Sequence, residues 1–155
     1  MRNPIKESDG LTLIEILITI VLVAILGGFV IVSLNPVGQL ASARNNQRLS
    51  NLNTILNSIS QNAADNKGNF TCSAGAIPST STKRMAIGAG NYDIASCLIP
   101  IYTSVLPFDP KDPLARFTSQ TDYDTGYTII RNASSGAVTL GAPSAESGKV
   151  ISVSR

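Results

Sequence analysis

The residues from Leu11 to Leu34 form an almost wholly apolar run containing a single charged side chain, Glu15. As an α-helix, a run of this length rises about 36 Å, enough to cross a hydrocarbon core of about 30 Å. The carboxylate is the informative exception, because an ionised side chain in such a segment costs about 2.5 to 3.5 kcal/mol on insertion scales. A compensating charge is therefore expected. A cut between Gly10 and Leu11 would create an ammonium at Leu11, one helical turn from Glu15 or beside the Glu15 of a neighbouring copy, and each charge would neutralise the other.

Gly10 followed by Leu11-Thr12-Leu13-Ile14-Glu15 and a long apolar run resembles the class III signal of type IV pilins and type II secretion pseudopilins. The resemblance covers residues 1–35 and is looser beyond them. It implies that prepilin peptidase cuts after Gly10, that Leu11 becomes the methylated amino terminus, and that Glu15 guides copies of the chain into a helical filament. Further implied partners are an inner-membrane assembly platform and, before assembly, membrane lipid. The implied location is the inner membrane first, then an extracellular pilus or the cell envelope. Leu11 departs from the family pattern, where phenylalanine or methionine is usual. Two readings outside the family compete with it. A secretory signal has an apolar core of about 7 to 15 residues followed by its cleavage site, whereas this run is longer and its glycine precedes it. A plain membrane anchor has no use for Glu15.

The leader carries Arg2 and Lys6 against Glu7 and Asp9, so charge asymmetry across the span is weak. Twelve basic and ten acidic residues give a net charge of +2. Removing residues 1–10 takes away two of each and leaves the balance unchanged. Neither nucleic acid nor an acidic membrane surface is indicated as a partner.

Gly27, Gly28 and Pro36 are the soft points of the long helix, since glycine costs about 1 kcal/mol relative to alanine and proline removes a backbone donor. Two readings stand side by side: local unwinding between Gly28 and Pro36, as the family resemblance implies, or close helix packing at the glycines. From residue 36 to 67 the pattern turns amphipathic. Val37, Leu40, Ala41, Leu49, Leu52, Ile55, Leu56, Ile59 and Ala63 form the stripe expected to be buried, and Arg44, Asn45, Arg48, Asn51, Asn53 and Asn62 the opposite, polar face. Lys67 falls in the last turn and Gly68 supplies a left-handed cap.

Residues 68–155 are expected to form a globular head. Residues 69–105 begin as a long Ser-, Thr- and Gly-rich loop and pass into a short helix or broken turns around Pro100. Cys72 and Cys97 are expected to close this loop as a disulfide worth about 3 kcal/mol, since an exported head with two cysteines and no histidine favours a bridge over a metal site or a catalytic thiol. Two free, buried thiols are the alternative. Gly126–Asn132, Ala137–Gly141 and Lys149–Val153 read as three antiparallel strands, with turns at Ser134–Gly136 and Pro143–Gly148. The fold class is α+β: a long amino-terminal helix, half transmembrane and half amphipathic, packed on a small antiparallel sheet.

Little points to catalysis. The chain has no histidine, no glycine-rich phosphate loop and no expected free thiol, so no cofactor or catalytic residue is assigned. Asp109, Asp112, Asp122 and Asp124 gather around two expected turns, and a calcium site there competes with ordinary turn hydrogen bonding; their spacing fits no fixed calcium loop. Tyr102, Tyr123 and Tyr127 read as packing residues, and Arg116 and Arg131 do not make a nucleic-acid stripe. The acceptor triplets at Asn69 and Asn132 are common by chance. The expectation is a structural subunit of a type IV pilus; a pseudopilin of a secretion or DNA-uptake system is the close alternative.

Overall fold

The computed structural model describes residues 10–33 and 35–155. The leader residues Arg2, Lys6, Glu7 and Asp9, and also Leu34, lie outside the described residues. The chain divides into two compact units, Met1–Gln39 and Leu40–Arg155.

In the first unit, α1 spans Leu13–Ser33. Thr12 opens it: the Glu15 N–H is shared between the Thr12 carbonyl at 3.1 Å and the Thr12 hydroxyl at 3.3 Å. Gly27 and Gly28 are both helical, so the helix continues through them. Its last described helical residue is Ser33, and Asn35 adopts the left-handed region with φ 42°. The Asn35 side chain then caps α2, Pro36–Asp65, by accepting the Gly38 N–H at 3.2 Å, with Pro36 at the first helical position that suits its missing donor. A Cβ at Gly38 would sit 2.8 Å from the Asn35 amide nitrogen, so a side chain there would make the capping Asn35 side chain shift.

From Leu40 onward α2 belongs to the second unit. Its carboxy-terminal end is a Schellman-type cap in which the Gly68 N–H reaches the Ala63 carbonyl at 2.8 Å. The expectation for this end shifts by one residue: Lys67 takes the left-handed position directly after the helix, φ 57°, and Gly68 follows at φ 87°.

The sheet has five strands: β1 Lys83–Ala86, β2 Arg116–Ser119, β3 Asp122–Arg131, β4 Val138–Ala142 and β5 Ile151–Ser154. The ten-residue β3 is its hub, pairing antiparallel with β1, β2 and β4, while β5 pairs with β4. Three of these strands were expected and two were not. β1 lies inside the stretch read as loop, and β2 precedes the residues read as sheet; both are four-residue strands stabilised by β3 rather than by a strong pattern of their own. A short helix, α3, spans Ala95–Leu98, and the following Ile99–Pro100 peptide is cis.

Along β3, Tyr123, Thr125, Tyr127 and Ile129 are buried while Asp124, Thr128 and Ile130 are partly exposed, the period of two that a one-sided sheet demands. Tyr123, Tyr127 and Ile129 join Leu140 of β4, Leu52, Ile55, Leu56 and Ile59 of α2, Ile94, and Leu98 of α3 in one apolar cluster. Each large aliphatic side chain removed from water here contributes about 1.5 to 3 kcal/mol.

The amphipathic stripe is corrected along α2: Val37, Leu40 and Leu49 are exposed, whereas Asn45, Arg48 and Asn62, assigned to the polar face, are buried. The head supplies hydrogen-bonding partners for them, and that outweighs the apolar periodicity.

Candidate functional site

In the first unit the feature of interest is Glu15 in the first turn of α1. Among the described residues its carboxylate has no hydrogen-bond or ion-pair partner. The most apolar 18-residue window of the helix has a mean hydropathy of 2.9, and at about 1.5 Å per residue its 21 residues extend about 32 Å. Among the described residues there is thus one helix long and apolar enough to cross a membrane, near the amino terminus. Gly10 and Leu11 precede the helix and are exposed.

The second unit is organised around Arg48. Its guanidinium forms a fork to Asp109, with Nε donating to Oδ2 at 2.7 Å and Nη2 to Oδ1 at 3.0 Å, and both side chains are fully buried. Its remaining terminal nitrogen donates to Asn45 Oδ1 at 2.9 Å and to Glu146 Oε2 at 3.1 Å. The hydrogen bonds from Asp109 and Glu146 hold the Arg48 pKa above its ordinary value against desolvation.

Glu146 lies in the turn between β4 and β5 and receives three cations. Arg44 donates through Nε at 2.6 Å and Nη2 at 2.8 Å, Lys111 Nζ at 2.8 Å, and Arg48 as above. These bonds, chiefly those of Arg44, lower its pKa far below the ordinary carboxylate value. Asn45 completes the grip from α2, donating to the Glu146 carbonyl at 2.9 Å while its own oxygen accepts the Glu146 N–H at 3.0 Å.

A second cluster lies across the sheet. Arg84 Nε on β1 meets both oxygens of Asp124 on β3 at 2.7 and 2.9 Å, and Arg84 Nη2 donates to Asp112 at 2.9 Å. Burial works to raise the Asp112 pKa, but the Leu114 N–H and Arg84 together hold it lower than usual. The four aspartates weighed as calcium ligands are thus each engaged by an arginine: Asp109 by Arg48, Asp112 and Asp124 by Arg84, and Asp122 by Arg116 at 2.6 Å. Among the described residues no group of three or more acidic, histidine or cysteine side chains is placed to hold a metal ion.

Cys72 and Cys97 form a disulfide, with Cα atoms 4.9 Å apart. Asn62 of α2 ties both cysteine segments to the helix. Its amide donates to the carbonyls of Thr71 and Cys97 at 3.1 and 3.3 Å, and its oxygen accepts the Thr71 N–H at 2.8 Å. Tyr123 and Tyr127 are buried, as expected for packing residues, and Tyr102 is partly exposed. The Tyr123 hydroxyl donates to Asp93 at 2.8 Å and accepts the N–H groups of Ile94 and Ala95. Burial pushes the Tyr127 phenol up to about 12; no phenolate is available near neutral pH.

Sequence reasoning missed Arg48, Glu146 and Arg84. For Arg48 a signal existed: its spacing of four from Leu52 places it on the line of the buried stripe. No local signal marks Glu146 or Arg84, because their partners are distant in the chain. Compared with protein-family models, curated proteins and solved structures, the chain matches none.

Proposed function

We propose that this chain is a structural subunit of a type IV pilus, cut by prepilin peptidase after Gly10 and polymerised through its amino-terminal helix. The observation that carries this reading is Glu15, a carboxylate without a partner among the described residues and the single charged side chain of an almost wholly apolar helix, in its first turn and five residues after a glycine that precedes it. In a membrane such a group needs a counter-charge, and the ammonium created at Leu11 supplies it, within one chain or between copies. The head supports the same reading. It is an amphipathic helix packed on a small antiparallel sheet, with the Cys72–Cys97 bridge closing a loop beside them.

The deciding experiment is intact-mass analysis of the chain recovered from filaments sheared off the cell surface. A chain beginning at methylated Leu11 is the expected result, with Glu15→Ala made and inserted in the membrane yet absent from the filament fraction. The processed chain found only in membranes would replace this reading with a pseudopilin, and an uncut chain beginning at Met1 would overturn it in favour of a plain anchor.

A further inference from the structure

We infer that the cleft between the carboxy-terminal half of α2 and the adjoining ends of β3 and β4 binds a small anion carried on an apolar body, such as an arylalkyl carboxylate. The cleft holds about 350 Å³, within the range of small-ligand sites. Leu56, Ile59 and Ile77 give it an apolar floor, and Arg131 and Arg155 are its cationic members.

The charge accounting of the head singles out these two residues. Among the described residues the other arginines, Arg44, Arg48, Arg84 and Arg116, each hold a carboxylate. Arg131 and Arg155 hold none, and both line this cleft. Neutral acceptors position them: Arg131 Nε donates to the Gly136 carbonyl at 3.3 Å, and Arg155 Nη1 to Asn57 Oδ1 at 3.0 Å and Ser60 Oγ at 3.4 Å. These bonds use few of the donors a guanidinium offers. Two oriented cations beside an apolar floor select a ligand that has both parts. A bare inorganic anion gains nothing from Leu56, Ile59 and Ile77, and a neutral hydrocarbon gains nothing from the guanidiniums. This site does not depend on whether the chain polymerises.

The test uses the full chain in lipid nanodiscs, titrated with phenylbutyrate, phenylbutanol and inorganic phosphate and followed by ligand-detected NMR against empty nanodiscs. Saturable binding of phenylbutyrate is expected, weakened about tenfold by Arg131→Gln or Arg155→Gln, with the alcohol and phosphate at least tenfold weaker. Ala63→Leu adds bulk to the cleft wall without touching a charge and is expected to abolish binding; it decides the matter should the arginine variants melt. Equal affinity for phenylbutanol or for phosphate overturns the inference. So does unchanged phenylbutyrate affinity in the folded arginine variants or in Ala63→Leu, or the absence of saturable binding.

Discussion

Arg48 on α2 and Asp109 in the loop before β2 face each other through two parallel hydrogen bonds of 2.7 and 3.0 Å, both side chains sealed from solvent. Asp109 is itself fixed from its own side, because Oδ1 accepts the N–H groups of Lys111 and Asp112 at 2.9 and 3.0 Å. The pair therefore joins a rigid turn to a rigid helix. Removing one partner strands a buried charge, and Arg48→Ala or Asp109→Ala is expected to cost about 3 to 5 kcal/mol in chemical denaturation. Arg48→Lys keeps the charge but loses the fork, so it should recover part of that loss and no more.

Acid should weaken the same junction through Glu146. Its pKa is depressed in the folded protein by Arg44, Lys111 and Arg48, so folding favours the ionised form. The contribution is fully present above the unfolded value, ordinarily 4.5, and is lost as the pH falls from there toward the lower folded value. Melting temperature measured from pH 7 to pH 3 should stay level down to about pH 5 and then decline. Glu146→Gln should lower the plateau and flatten that decline; a decline as steep as in the parent would remove Glu146 from this role.

Gly126 follows Thr125, whose carbonyl accepts the Asp109 N–H at 2.8 Å, so β3 lies against the Asp109 turn here. The φ of Gly126 is 76°, and a Cβ there would lie 2.8 Å from the Asp109 Cβ and 3.2 Å from that of Ala115. Both the left-handed backbone and the space forbid a side chain. Gly126→Ala should destabilise the head by about 2 to 4 kcal/mol, combining conformational cost with overpacking. Gly148→Ala, at φ 67° in open space, should show the conformational part alone, and equal losses at the two positions would argue against the close approach.

Opening the Cys72–Cys97 disulfide should release the segment it closes before the rest of the head melts. The bridge spans a sequence separation of 25 and restricts the unfolded chain by about 3 kcal/mol on the loop-entropy model. Limited proteolysis under reducing conditions should cut within residues 73–82 while α2 remains intact. Asn62→Ala, which removes the bonds to Thr71 and Cys97 without touching the sulfurs, should sensitise the same segment more mildly. An unchanged digestion pattern after reduction would show that packing, not the bridge, holds the loop.

The elements legible in the sequence are those whose cause is local. The apolar run from Leu11, the break at Pro36, the apolar stripe from Leu52 to Ile59 and the β-branched and aromatic stretch from Gly126 each follow from near neighbours in the chain, through hydrophobic periodicity, proline geometry or strand propensity. The α+β class and the Cys72–Cys97 pairing were legible for the same reason, joined to a count of two cysteines and no histidine. Arg48, Asn45 and Glu146 were not. The burial of Arg48 requires Asp109, which is 61 positions away, and that of Asn45 requires Glu146, 101 positions away. A charged residue on a helix reads as solvent-facing until its partner is placed. Likewise β1 and β2 are too short to announce themselves, and exist because β3 offers them an antiparallel partner. Local chemistry determined the two long helices and the strands β3, β4 and β5, whereas β1 and β2 were decided by their pairing with β3. Tertiary structure alone decided which polar groups go inside, because burying a charge is favourable only where the opposite charge already waits.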